Sequence, residues 1–389
     1  MRTQVVIVGG GPSGLLLALL LLRSGIDTLV IERRSKSHVL SRIRAGVLER
    51  GMVDLLDQAG AADRLKAEAF RHNGTLIYDG ESTTRIDFTK ETGTPVFVYG
   101  QTEVTRDLYQ AYEAENGRIV HEVEHVELHE LTGSTPHVTF KKDGSEHRID
   151  ADFVAGCDGF HGVSRQAIPT EKKREYTKTY PCGWLGVLSE TPPVQDELVY
   201  AGSDRGFALC SMRNQNLSRY YIQCKPTEDA KNWTDDAFWA ELRRRIPPDL
   251  AEMLVTGPSL EKSITPLRSF VVEPMQYGVL FLCGDAAHIV PPTGAKGLNT
   301  AASDVYYLHR GFHQHYVDKD YAGLLNYSTS ALARVWKAQK FCDWFTGLLH
   351  PEIGAYEVKG HSRHSAMSNF ISSSVARKEF AESYVGLPY

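Results

Sequence analysis

Four consecutive aliphatic residues, Val5-Val-Ile-Val8, run straight into Gly9-Gly-Gly-Pro-Ser-Gly14 and then into the apolar stretch Leu15–Leu22. An unbroken apolar run closed by glycine reads as a strand buried on both faces, as in a parallel sheet. The pattern predicts a strand over 5–8, a helix over 13–24 and a second strand over 28–31 that ends at Glu32, a compact β-α-β unit. Further on it predicts a helix over 45–59, short alternating strands over 76–78, 84–88 and 96–99, and a helix over 103–115. Strands are expected over 119–128, 137–141 and 147–149, and Phe153-Val-Ala-Gly-Cys-Asp-Gly159 returns to the buried-strand pattern. From about 180 to 267 the texture changes to aromatic-rich alternating strands with one helix near 235–245. Beyond Arg268 a second buried strand, Val279-Leu-Phe-Leu282, runs into Cys283-Gly-Asp-Ala-Ala-His288, and helices are expected over 300–314 and 320–348.

This order implies an α/β fold in which a first domain is left and re-entered. Residues 1–75, 100–179 and 268–345 are assigned to a discontinuous Rossmann-like dinucleotide-binding domain. Residues 76–99 and 180–267 are assigned to a mixed β-sheet substrate domain, and 346–389 to a C-terminal helical segment and candidate dimer contact. The aromatic helix positions Trp336, Phe341, Trp344 and Phe345 fit either a core or a subunit face.

Composition removes several alternatives. With 389 residues and 42% hydrophobic content the chain can build two substantial cores. A net charge of −5 supplies no basic field for nucleic acid. The 6 cysteines lack CxxC spacing, so neither a metal site nor a disulfide framework is expected, and a reducing, cytoplasmic setting is the simpler one. Leu15–Leu22 falls short of the roughly 20 apolar residues of a spanning helix, and no signal peptide is expected.

The glycine turn points to a nucleotide. Gly9 permits the tight turn, Gly11 lets the backbone approach a pyrophosphate, and Gly14 allows close helix–strand packing. The helix N-terminus offers unpaired N–H groups to the phosphates, and Glu32 sits where a carboxylate accepts from a ribose. Only one such fingerprint is present. Paired with the Gly284-Asp285 turn and Pro291-Pro-Thr-Gly-Ala-Lys-Gly-Leu-Asn299, it implies one resident FAD and a visiting nicotinamide cofactor. Asp285 is either a turn residue or a ligand of the ribityl chain. Arg33, Arg34, Arg42 and Arg44 form either a solvated basic loop or a phosphate contact.

A second constellation lies in the aromatic-rich part. Phe207, Leu209, Ser211 and Arg213 share one face of a strand by the period of two. Arg219, Tyr221 and Gln223 share one face of the next, and the short connection 214–218 predicts a hairpin. Arg213 is then either an exposed strand residue or a buried cation whose partner is a ligand carboxylate.

The segments Gly9–Gly14, Cys157-Asp-Gly-Phe-His-Gly-Val-Ser-Arg165 and Gly284-Asp285 resemble the three signatures of the single-component flavoprotein aromatic hydroxylases. Ser41-Arg-Ile-Arg-Ala-Gly-Val-Leu-Glu49, Tyr99-Gly-Gln-Thr-Glu-Val-Thr-Arg106, Arg205-Gly-Phe-Ala-Leu-Cys-Ser211, Ser218-Arg-Tyr-Tyr221 and Tyr384-Val-Gly-Leu-Pro-Tyr389 extend the resemblance over essentially the whole chain and narrow it to members acting on 4-hydroxybenzoate. The resemblance implies hydroxylation of 4-hydroxybenzoate to 3,4-dihydroxybenzoate with O2 and NAD(P)H through a flavin C4a-hydroperoxide. It places Ser211, Arg213 and Tyr221 on the substrate carboxylate, and Pro292 and Thr293 beside the substrate. Tyr200, Tyr384 and His72 become a chain that draws off the phenol proton. Ser13, Arg42, Arg44, Gln101, Asp158, Asp285, Gly297, Leu298 and Asn299 join Gly9, Gly11, Gly14 and Glu32 as FAD contacts. Arg219 is expected beside a mobile flavin. Arg33, Arg34, His161 and Arg268 are implied for the nicotinamide nucleotide; the arginine pair favours NADPH by charge, whereas His38 stands where the resemblance implies tyrosine. The resemblance further implies a homodimer. A hydroxylase of another hydroxybenzoate and a FAD-dependent dehydrogenase that inserts no oxygen are the alternatives.

Overall fold

The computed structural model describes residues 1–41, 46–351, 357–386 and 388–389. The uninterrupted apolar strands sit where burial on both faces demands them. Arg2–Val8 lies inside a sheet between Ser145–Gly156 and Thr28–Glu32, parallel to both. Leu280–Leu282 extends the parallel set on one side and Arg118–His121 on the other. Val5, Val6 and Ile7 are fully buried. The helix Pro12–Arg23 packs against Gln101–Ala114 and Gly297–His313, which explains why Leu15–Leu21 is apolar all round.

A second eight-stranded sheet runs in the order His288–Ile289, Ser259–Glu273, Arg174–Ser189, Leu217–Cys224, Gly206–Asn214, Val199–Ser203, Gly74–Tyr78, Thr83–Asp87. It is mixed, because Val199–Ser203 pairs in parallel with Gly74–Tyr78 while the central strands are antiparallel. Its alternation has a physical reason in two coverings. Ala208, Cys210, Tyr220 and Ile222 pack with Phe238, Trp239 and Leu242 of the helix Asp235–Arg243. Phe207, Leu209, Trp184 and Tyr200 face Phe341, Phe345 and Tyr384 of the C-terminal helices. The helices Ala322–Leu349 and Ser374–Val385 thus cover the face that carries Ser211 and Arg213.

Several predicted boundaries shift. The expected helix over 45–59 begins only at Arg50, because Val47 and Leu48 pair as a strand with Val98 and Phe97 in a small three-stranded sheet. The expected strand over 119–128 is two strands, Arg118–His121 and Glu124–His129, broken where Glu122 takes a positive φ of 60°. The first completes the parallel sheet and the second pairs with His137–Lys142. Conversely, the pieces expected over 147–149 and from Phe153 are one strand, Ser145–Gly156. The expected strand over 84–88 stops at Asp87, whose side chain caps the short helix Phe88–Thr92. The aromatic helix divides its residues: Phe341 and Phe345 are buried, and Trp336 and Trp344 are exposed. Among the described residues no helix is long and apolar enough to cross a membrane.

Candidate active site

The three glycine-rich segments end adjacent parallel strands. Val8 pairs with Gly156, and Gly156 with Leu282, so Gly9–Gly14, Asp158–Ser164 and Gly284–Ala286 gather at one carboxyl edge, where open α/β sheets hold their ligands. A Cβ added at Gly284 would lie 3.5 Å from Ser13 Oγ; the two segments that are farthest apart in sequence touch. Gly9 has φ +109°, and a Cβ there would run into the Cys157 carbonyl. A Cβ at Gly14 would overlap the Gly9 carbonyl oxygen, whereas one at Gly11 would meet nothing within 4 Å. The start of Pro12–Arg23 has no side-chain cap and no acidic residue in its first turn. An uncapped helix start beside open space is the cradle a pyrophosphate requires.

Glu32 accepts from the Gly10 N–H at 2.7 Å and the Arg34 N–H at 2.8 Å, which fixes its carboxylate beside the turn. Asp158 Oδ2 accepts from the backbone and hydroxyl of Ser164 at 2.9 and 3.0 Å, while Oδ1 is enclosed without a partner; burial raises its pKa. Asp285 sits half-buried in the turn Gly284–Ala286. Gly297 and Leu298 open the helix Gly297–His313, and Gln101 opens Gln101–Ala114. The Asn299 side chain is committed to protein: it accepts from Glu49 N–H and donates to the Val47 and Ala295 carbonyls. Only its main chain is left to meet a cofactor. Arg42 and Arg44 lie outside the described residues.

The predicted hairpin forms with its turn at Gln215–Asn216, between Gly206–Asn214 and Leu217–Cys224. Leu209 faces Tyr221 and Ser211 faces Arg219, so both sets of side chains share one face. A register shift between Met212 and Asn214 places Arg213 on a bulge, a device that re-aims a side chain. Its Nε is enclosed without an acceptor, and the guanidinium reaches Ser211 Oγ and the Met212 carbonyl, both at 3.4 Å, and the Tyr221 hydroxyl. Burial lowers its pKa. Among the described residues no carboxylate is within ion-pair distance of Arg213. Arg219 is different: it pairs with Glu261 at 3.1 Å and lies 5.2 Å over the Tyr221 ring.

Behind the hairpin, the Tyr200 and Tyr384 hydroxyls are 2.8 Å apart, and both residues are 1% exposed. Burial raises both phenol pKa values, so both stay protonated at neutral pH. His72 was expected to link this pair to solvent. Its Nε2 instead meets Met212 Sδ at 3.3 Å, it is 2% exposed, and no hydrogen bond joins it to either tyrosine. Burial brings its pKa down to about 4. Thr293 is buried and its hydroxyl accepts from Thr346 at 2.9 Å. Pro292 is exposed, and its carbonyl accepts from Ala295 N–H. His161 and Arg268 converge on Phe160, with ring centroids 5.0 Å apart for His161 and the Arg268 guanidinium 4.0 Å over the ring. Arg33 and Arg34 are exposed at the end of Thr28–Glu32, two strands away from the one that leads to Phe160.

Two buried charge clusters were not anticipated. Lys296 Nζ donates to Glu49 Oε1 at 2.6 Å and to the Tyr384 carbonyl at 2.7 Å. His288 Nε2 lies 2.6 Å from Asp304 Oδ2, which also accepts from Gly284 N–H. A lysine inside a proline- and glycine-rich apolar run was the available signal for the first; nothing in sequence pairs Asp304 with His288.

Residues 2–342 match the FAD binding domain family, and the chain belongs to it as a flavin-dependent aromatic monooxygenase. Among its relatives is the p-hydroxybenzoate hydroxylase of Acinetobacter baylyi (strain ATCC 33305 / BD413 / ADP1), 50% identical over all of this chain and 96% of that one. The uncharacterized aromatic compound monooxygenase YhjG of Bacillus subtilis (strain 168) is 28% identical over 78% of this chain and 60% of its own length. The solved structure of p-nitrophenol 4-monooxygenase PnpA from Pseudomonas putida DLL-E4 superposes over the full length of both chains with a TM-score of 0.79 at 18% identity, a likeness of fold.

Proposed function

We propose that this enzyme hydroxylates 4-hydroxybenzoate at the carbon ortho to its hydroxyl, giving 3,4-dihydroxybenzoate, with FAD, NAD(P)H and O2. The observation that carries the reading is Arg213, a half-buried guanidinium whose Nε is enclosed without an acceptor and which has no carboxylate partner among the described residues, beside Ser211 and Tyr221. A buried cation is costly until an anion meets it, and the aromatic carboxylate of the substrate is that anion. The 50% identity to p-hydroxybenzoate hydroxylase over the whole chain supports the same choice.

The residues present fit FAD. The Gly9–Gly14 turn and the uncapped helix start would hold the pyrophosphate, Glu32 the ribose, and Gln101, Asp285 and the main chain of Gly297–Asn299 the flavin end. FAD, once bound and reduced by NAD(P)H, supplies the activated oxygen atom from O2. The protein must orient the ring and ionise the phenol, because a phenol titrates near pH ~10 in water. Arg213 anchors the carboxylate end, and the rigid hairpin aims the hydroxyl at Tyr200. Tyr200 accepts from the phenol and donates to Tyr384, so the proton moves along two hydroxyls that never ionise for long. His72 stands outside this pair, its Nε2 on Met212 Sδ and its pKa lowered by burial, so the relay consists of the two tyrosine hydroxyls. His161 and Arg268 with Phe160 form the reading's site for the nicotinamide nucleotide, and the exposed Arg33 and Arg34 favour NADPH over NADH by charge. The exposed Trp336 and Trp344 support a homodimer.

The test is a flavin absorption spectrum, then NADPH oxidation with and without 4-hydroxybenzoate under labelled oxygen. We expect a yellow protein, substrate-stimulated oxidation and label in 3,4-dihydroxybenzoate. A colourless protein, or oxidation indifferent to 4-hydroxybenzoate, would overturn the proposal.

A further inference from the structure

The geometry points to Arg334 as a positioning residue that seats the C-terminal segment so that Tyr384 meets Tyr200, an inference that rests on the hydroxylase reading above. Tyr384 stands at the end of the helix Ser374–Val385, where an unsupported last turn frays. Its hydroxyl reaches Tyr200, and its carbonyl is held from the other side by Lys296. Lys296 is fixed by Glu49 Oε1, and Glu49 Oε2 is taken at 3.0 Å by Arg334 from the middle of Ala322–Leu349. Arg334 also donates to the Pro388 carbonyl at 3.3 Å and lies 4.6 Å over the ring of Tyr389.

The chain therefore leaves the Tyr384 helix and wraps the same carboxylate. Gly386 makes this possible: its φ is +90°, and a Cβ there would collide with the Glu49 carboxylate. Three elements far apart in sequence thus converge behind one tyrosine. Glu49 and Lys296 are 3% and 5% exposed. Buried ion pairs are a poor means of adding stability but a good means of specifying one arrangement. The arrangement specified here is the 2.8 Å contact between the two relay hydroxyls. Arg334 itself touches neither tyrosine hydroxyl; it acts through Glu49, Lys296 and the tail.

The readout is the ionisation of enzyme-bound 4-hydroxybenzoate, followed by its ultraviolet difference spectrum against pH in the FAD-loaded enzyme. The variants are Arg334→Met, Arg334→Lys and Gly386→Ala, the last of which keeps every charge. We expect Arg334→Met and Gly386→Ala to bind FAD and 4-hydroxybenzoate as wild type does. In both, ionisation should shift upward by about one pH unit, roughly tenfold less phenolate at neutral pH, with less product per NADPH. Arg334→Lys should recover part of the shift. Unchanged ionisation in variants that bind substrate would overturn the inference, as would a shift in Arg334→Met alone, which would make the effect one of charge. If Arg334→Met fails to fold, Gly386→Ala and Arg334→Lys decide. Wild-type enzyme that holds the substrate as a neutral phenol at neutral pH would sink the functional reading itself, a result distinct from the others.

Discussion

In the proposed function, a single side chain, Arg213, gives the fold its receptor for a carboxylate. Its Nε is enclosed without an acceptor, and its polar neighbours Ser211 and Tyr221 leave it without a carboxylate partner among the described residues. Replacing Arg213 by Ala should weaken 4-hydroxybenzoate binding by about 2–5 kcal/mol, the scale for truncating one partner of a buried charge pair. Equal affinities for wild type and variant in a flavin-fluorescence titration would refute the clamp. The proposed function gives Tyr200 the other end of the ring. Tyr200→Phe deletes the hydroxyl that bridges the phenol to Tyr384, so we expect FAD and substrate to bind while hydroxylation slows and peroxide release rises. Wild-type coupling of NADPH consumed to product formed would remove Tyr200 from the relay. The period of two put Arg213 on the Ser211 face and left it open between an exposed residue and a buried cation; the roles of Arg213 and Tyr200 were implied by the resemblance alone. Glu49 and Lys296 acquired no partners in the sequence, because an ion pair between residues 247 positions apart leaves no local pattern.

At the scale of elements, the Gly9–Gly14 turn is held by close backbone contact. A Cβ at Gly14 would enter the Gly9 carbonyl oxygen, so the helix start and the strand end must separate to admit it. We expect Gly14→Ala to be purified with little FAD and a lowered melting temperature, read from the flavin absorbance per protein and a thermal scan. A variant with full FAD content and unchanged melting would show that the turn tolerates the separation. The hairpin behaves differently: its alternation predicted which residues share a face, but the bulge at Arg213 came only with the register of the paired strands. The misread helix at 45–59 has the same origin. Val47 and Leu48 are apolar in either conformation, and a partner strand at Val96–Val98 decided for β.

Across the whole molecule, buried histidines tie the fold to pH. His72, His309 and His350 are all held near a pKa of about 4 by burial, against 6.5 for the free side chain. A depressed folded pKa gives stability that is fully present above pH 6.5 and lost as pH falls toward 4. Melting temperature should therefore drop across that window. His309 lies away from the substrate hairpin, with its Nε2 2.9 Å from Ser24 Oγ. His309→Gln should show a smaller drop between pH 7 and pH 5 than wild type; identical drops would exclude His309 from the effect. The sequence by itself determined the nucleotide fold, the cofactor and the two strands of the substrate hairpin. Strand period, glycine turns and the strand–turn–helix order are local, and short-range sterics enforce them wherever they occur. Tertiary structure alone decided that the three glycine segments share one sheet edge, that His72 faces Met212, and that Glu49, Lys296 and Arg334 meet behind Tyr384. Those contacts depend on which distant elements pack together, and only the folded core sets that.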